Sequence, residues 1–240
     1  MNQKLKVFLV IVTIFTLVLG TAITSSAQKN KQSLSEKGKS LSLKSLSQTD
    51  IGKPAKTGSA EIVGNELKIM AGGADVWGKR DEFHFSYKQL KGDFDISVQI
   101  LGLSAAHLYT KAGIMARENL SEDSPHVYYQ VFPDNKARNK NNGGCEFQYR
   151  MVKGGDMKAI YPLDAVDKTE CKVDFPNTFI RMKRHGDIFD SFFSNDNKIW
   201  VHYSSFTLKM ANELFVGLAV TSHQSNDYTT ARFSSLQLWK

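Results

Sequence analysis

The sequence predicts an all-β fold, a two-sheet antiparallel jelly-roll sandwich, on three observations. Short runs alternate apolar and polar residues with the period of two that a strand imposes: Phe94, Ile96, Val98 and Ile100 against Asp93, Asp95, Ser97 and Gln99; Val127, Tyr129 and Val131 against His126, Tyr128 and Gln130; Val216, Leu218 and Val220 against Gly217, Ala219 and Thr221. Turn signals separate the runs, among them Gly72-Gly73, Lys91-Gly92-Asp93, Pro133-Asp134-Asn135, Gly154-Gly155-Asp156 and His185-Gly186-Asp187. No stretch after residue 50 carries the apolar stripe of an amphipathic helix. Residues 51–240 are long enough for one domain with a sizeable core, and a jelly roll is the usual arrangement of such strands at this size.

In chain order, residues 1–27 have the layout of a secretory signal peptide: Lys4 and Lys6, an apolar run from Val7 to Gly20, then small residues ending Ser25-Ser26-Ala27. Cleavage is expected after Ala27, and with it export to the periplasm or the cell exterior. The run is shorter than the roughly 20 apolar residues of a membrane span, so no transmembrane segment is expected in the mature chain. Residues 28–50 are rich in Ser, Lys and Leu, lack aromatic residues and read as a flexible leader. The formal charge of +7 sits mostly in these two segments, and residues 51–240 keep only +2 of it. A nucleic-acid binder concentrates positive charge on its folded domain, so nucleic acid is not an expected partner.

The segment Lys111-Ala112-Gly113-Ile114-Met115-Ala116-Arg117 sends Ala112, Ile114 and Ala116 to one face and Lys111, Met115 and Arg117 to the other. A later strand repeats the arrangement, with Cys145, Phe147 and Tyr149 against Glu146, Gln148 and Arg150. Lys111, Arg117, Glu146, Gln148 and Arg150 on a common face offer planar donors and acceptors suited to hydroxyls or a carboxylate. The competing reading is an ion-pair ladder within the sheet, such as Glu146 with Arg117 or Lys111. Trp77 follows a Gly-Gly pair in an expected loop, where its indole could stack on a sugar ring or plug one end of the sandwich. His223, just after an apolar strand, could border the same surface or serve as a strand-end hydrogen-bonding group. Asp75, Asp81 and Glu82 could bind a structural calcium ion or bond their own loop's amides; no cofactor is required. Cys145 and Cys171, an even count in an exported domain, favour a disulfide, the alternative being a small apolar core residue and an unrelated loop thiol.

Several of these residues also carry a resemblance. Gly73-Ala74-Asp75-Val76-Trp77-Gly78, Asp81, Phe83-His84-Phe85, Gly92-Asp93-Phe94, Lys111 through Glu118, and Val216 through His223 occur in an order similar to that of one family. It is the "regulation of enolase"-type branch of the concanavalin A-like lectin/glucanase superfamily, and the resemblance runs from about Asp50 to the C-terminus. It implies a concanavalin A-like jelly roll and carbohydrate as the partner. The stretch 154–176 is longer and more charged than the resemblance leads one to expect. Glucanases of this superfamily carry Glu-x-Asp-x-Glu or a close variant on one strand, and no such run occurs here. There is also no Gly-x-Ser-x-Gly elbow and no His-Glu-x-x-His. The expectation is therefore an exported, non-catalytic, lectin-like protein. The alternatives are a glycosidase using Glu118 or Glu146 with Asp81, and a structural or interaction module without a sugar ligand.

Overall fold

The computed structural model describes residues 39–141, 143–162 and 170–239. The signal peptide read over residues 1–27 lies outside them, as does the leader before Lys39. Among the described residues the strands are, in chain order, β1 (Lys39–Ser40), β2 (Ser47–Ile51), β3 (Ser59–Val63), β4 (Glu66–Ala71), β5 (Val76–Trp77), β6 (Arg80–Asp81), β7 (Phe83–Lys91), β8 (Phe94–Leu103) and β9 (Lys111–Arg117). They continue as β10 (His126–Val131), β11 (Cys145–Arg150), β12 (Lys158–Ile160), β13 (Thr178–His185), β14 (Ile188–Ser194), β15 (Val201–Thr207), β16 (Glu213–Thr221) and β17 (Thr229–Trp239).

Two large sheets result. One has the order β15-β14-β13-β8-β17-β4-β3, with β1 added beside β17, and the other β12-β11-β10-β9-β16-β7-β2. Neighbours whose pairing is resolved run antiparallel, as in β8 with β13 and β9 with β10 and β16. The predicted alternation is what packs them. Ile96, Val98, Ile100, Ile180 and Met182 of the first sheet share one buried cluster with Ala112, Ile114, Ala116, Val127, Tyr129, Phe147, Leu218 and Val220 of the second. Each large apolar side chain removed from water in this way contributes about 1.5–3 kcal/mol. Gly113 lets β9 and β10 approach closely, since a β-carbon there would run into the Tyr129 carbonyl.

The sandwich begins earlier than the composition suggested. Residues 39–50, read as flexible leader, belong to it: β1 pairs with the end of β17, and β2 lies along β7. Leu46 is buried, with Leu41 and Leu43 packed against the core. Asp50 accepts a hydrogen bond from the Gly58 amide and bonds His84 Nδ1 at 2.8 Å. The absence of aromatic residues misled the compositional reading, because three leucines and a strand edge in need of a partner are enough to order the segment.

Cys145 and Cys171 form the disulfide, with Cα atoms 5.5 Å apart. It fastens the far end of the 154–176 insertion to the start of β11. The Gly144 amide donates to the Cys171 carbonyl, and the Asn135 side chain pairs with both backbone groups of Val173. Closing a loop of 26 residues contributes about 3.5 kcal/mol in the chain-entropy model. Replacing both cysteines by serine is expected to lower the unfolding free energy by about that amount in urea titration, and reductant is expected to do the same to the unaltered protein.

Candidate functional site

The outer face of the second sheet is where the sequence placed Lys111, Arg117, Glu146, Gln148 and Arg150. It is not a solvent surface: β9 and β10 are buried at every position on both faces. A hairpin made by β5 and β6 folds over it. Gly73, at φ 112°, starts this excursion where no β-carbon fits against the Glu82 carbonyl. Val76 then enters a second apolar cluster with Phe83, Phe85, Met115, Tyr128 and Ala219. The Asp81 amide donates to the Glu122 carbonyl, and the Met157 amide to that of Gly78, so the hairpin is tied to the loops after β9 and β11.

Strand register sorts the face into rows. Arg117, His126 and Arg150 are paired across β9, β10 and β11; Met115, Tyr128 and Gln148 form the next row, and Gly113, Gln130 and Glu146 the one beyond. The first row surrounds Asp81. Arg150 grips its carboxylate with two bonds of 2.7 Å, while Arg117 and His126 approach to 3.5 Å. All four side chains are fully buried. Other guanidinium donors go to carbonyls, Arg117 to Asn119 at 2.7 Å and Ser121 at 2.5 Å, Arg150 to Gly155 at 2.9 Å and Gly78 at 3.0 Å, and Arg117 Nη1 donates to the Met115 sulfur. Burial depresses the Arg117 pKa to about 10, with Asp81 opposing, so it stays cationic at neutral pH. Burial depresses the His126 pKa to about 4, with Asp81 pulling the other way and both arginines adding to the fall, so that imidazole is neutral.

This corrects the reading of Arg117 and Arg150 as ligand donors. Each has exchanged water for a carboxylate and loop carbonyls, and neither reaches solvent. The ladder alternative was close in kind but named the wrong acid, since the partner is Asp81 of the hairpin rather than Glu146 of the sheet.

The last row borders a pocket. Asp75, Trp77, Tyr109, Lys111, Asn139, Glu146, Gln148, Tyr161 and His223 line a cavity of about 220 Å³. Five of the seven residues singled out as ligand-binding therefore converge: Trp77, Lys111, Glu146, Gln148 and His223. One wall is an ion-pair chain in which Asp75 takes Lys111 Nζ at 2.5 Å and His223 Nε2 at 3.1 Å, with Lys111 also donating to the Val76 carbonyl. Burial raises the Asp75 pKa, but Lys111 and His223 outweigh it and bring the value down to about 2. His223, at φ 58°, stacks its ring on His107 with centroids 4.4 Å apart. The floor is a carboxamide pair: Gln148 Nε2 donates to Glu146 Oε1 at 2.6 Å, and Asn141 donates to Oε2 at 2.9 Å. Burial raises the Glu146 pKa against those two donors and the Lys111 charge. Gln148 is 2% exposed, and its Oε1 has no hydrogen-bond partner in the structure. Trp77, 41% exposed, stands at the rim.

Asp75, Asp81 and Glu82, offered together to calcium, do not converge. Asp75 holds Lys111 and His223, Asp81 holds Arg150, and Glu82 accepts from the Ala74 amide. Among the described residues no group of three His, Cys, Asp or Glu is placed to hold a metal ion. Glu118 accepts from the Ala211 amide, away from the pocket lining. Tyr109, Asn139 and Tyr161 were missed, because they come from irregular segments with no period to read.

No model of a protein family matches the chain, and no curated protein matches it. Solved structures share its fold. A functionally unknown protein from Saccharomyces cerevisiae superposes with a TM-score of 0.61 at 16% identity, over 82% of this chain and 97% of that one. The carbohydrate-binding module CBM66 from Bacillus subtilis follows with a TM-score of 0.51 at 13% identity, over 80% and 95%. The GH43 protein BlXynB from Bacillus licheniformis gives a TM-score of 0.51 at 13% identity over 72% of this chain, which spans only 32% of that protein. These neighbours share the two-sheet β-sandwich that the superfamily resemblance implies. Among the described residues no helix is long and apolar enough to cross a membrane.

Two measurements check the buried cluster. Asp81→Asn leaves two guanidinium groups uncompensated in the interior, and it is expected to cost about 3–5 kcal/mol in chemical denaturation. His126, with its pKa about 4 when folded against about 6.5 unfolded, binds its proton more readily in the unfolded chain. Stability is therefore expected to fall by roughly 3 kcal/mol as pH drops from 6.5 to 4 and to change no further on this account below that. His126→Gln, compared by melting temperature across the same range, is expected to flatten that limb.

Proposed function

We propose that this chain is an exported, non-catalytic carbohydrate-binding protein of the "regulation of enolase"-type branch, and that the pocket beneath Trp77 holds the sugar. The observation that carries the reading is the pairing of an exposed indole with a buried polar floor in which one acceptor, Gln148 Oε1, has no partner. An indole face offers sugar C–H groups a flat apolar platform, and a preset carboxamide and carboxylate take hydroxyl protons without being ordered on binding. A cavity of 220 Å³ is smaller than the roughly 300–1,000 Å³ of drug-sized ligand sites, which suits one unit of a longer glycan. Kinship of fold with a carbohydrate-binding module supports the partner class. The signal-like N-terminus and the disulfide support export.

A second reading has one observation in its favour. The pocket holds an ionised carboxylate, Asp75, and another whose pKa is raised, Glu146, the division of labour that glycoside hydrolysis needs. The glycosidase pairing of Glu118 or Glu146 with Asp81 does not form, because Asp81 is buried on Arg150. Asp75 in turn is bridged to Lys111 and His223, which favours binding over catalysis.

Affinity electrophoresis against a polysaccharide panel, with and without calcium, tests the proposal. Trp77→Ala is expected to weaken retention about tenfold, the equivalent of about 1.4 kcal/mol, with an unchanged melting temperature, and Gln148→Ala to weaken it as much with a lower one, since it truncates a buried side chain. Glu146→Gln separates the two readings: a binder keeps most of its retention and releases no sugar, whereas a glycosidase loses turnover by orders of magnitude. Silence across the panel would favour an interaction module instead.

A further inference from the structure

The cations on which an acidic sugar would depend are already committed. Arg117 and Arg150 are buried on Asp81 and on loop carbonyls. Arg138, in the loop that carries Asn139, gives its donors to Asp134 and to the carbonyls of Leu108, Asp134 and Lys136. Lys111 lines the pocket, but its side chain is 3% exposed and its ammonium is held by Asp75 and the Val76 carbonyl. The lining residues with acceptor capacity include Asp75 and Glu146, with their carboxylates, and Gln148, whose buried Oε1 has no partner. Lys111 and His223 are both paired with Asp75, whereas the hydrogen bonds on the Glu146 carboxylate come from neutral amides.

Resting on the carbohydrate reading above, we infer that this pocket selects glycans presenting hydroxyl or ammonium donors and rejects uronate and sulfate groups, with Glu146 as the residue that sets the discrimination. An anionic substituent against Glu146 would have to meet a carboxylate in a partly desolvated site, where like charges repel strongly. Glu146 is faced by Lys111 from β9, by Asp75 from the segment before β5, by Arg138 from the loop before β11, and by Asn141 and Gln148 from that loop and its own strand, with His223 lining the same cavity. Burial already raises its pKa, and an anion beside it would raise it further, so binding of an anionic glycan would require uptake of a proton.

The test compares retention by galactan, polygalacturonate, dextran, dextran sulfate and chitosan at pH 7.5. Retention on the two acidic polymers counts only where Trp77→Ala weakens it, which separates the pocket from the lysines of residues 28–50. The expected result is retention by at least one neutral or amino polymer, with at least tenfold weaker pocket binding to its acidic counterpart. Glu146→Gln is expected to shrink that ratio. Pocket binding of an acidic polymer equal to that of its neutral counterpart at pH 7.5 would overturn the charge selection and leave the carbohydrate reading standing. No pocket binding to any polymer would overturn both.

Discussion

One carboxylate decides what the outer face of the second sheet can be. Asp81 stands fully buried beneath a two-stranded hairpin and draws in Arg150 through two bonds, with Arg117 beside it. A lone ion in that position would cost several kcal/mol in lost hydration, and three charges are tolerable only because loop carbonyls satisfy the remaining guanidinium protons. Those carbonyls belong to Gly78, Asn119, Ser121 and Gly155, so the cluster gathers the hairpin and the loops after β9 and β11 into one lid. Val76 of the same hairpin adds apolar contact with Phe83, Phe85, Met115 and Tyr128 that would be lost if the lid lifted.

Everything in the pocket depends on that lid. Asp75 and Trp77 are carried by the same short hairpin, and they meet Lys111, Glu146 and Gln148 only because the hairpin lies flat across the sheet. The strands supply the floor, since register places Glu146 and Gln148 two residues apart on the same face of β11. The wall and the floor are therefore fixed by different physics. Ion pairing in a dry interior sets the first, and the period of the strand sets the second.

That division explains what could be read from the residues alone. The alternation in β8, β9, β10, β11 and β16 was plain, and it put Lys111, Glu146 and Gln148 on the face that borders the pocket. Exposure was not legible, because a period of two says which face a residue occupies and nothing of what covers it. Arg117 and Arg150 were placed on the right face and given the wrong neighbour: their partner lies 69 residues from Arg150 in sequence, in a loop whose acids looked like calcium ligands. The N-terminal segment failed for a related reason. Composition weighs a segment by what it could bury by itself, whereas Leu41, Leu43 and Leu46 find their burial on a sandwich that others have built. Tyr109, Asn139 and Tyr161 come from irregular segments, where no pattern marks a residue for a site.

The same ion pairing shapes the chemistry of the cavity. A sequence rich in lysine and arginine along this face invites the picture of a cationic surface, yet folding spends that charge internally, on Asp81 and Asp75. What reaches the cavity is the remainder after pairing: a neutralised ammonium, a carboxylate held by two amides, and an amide oxygen with nothing to accept from. Donors bound inside the protein no longer compete for ligand, and acceptors held rigid by those donors need no reordering to receive a hydroxyl. The surplus of acceptors is thus a direct consequence of how the lid is fastened.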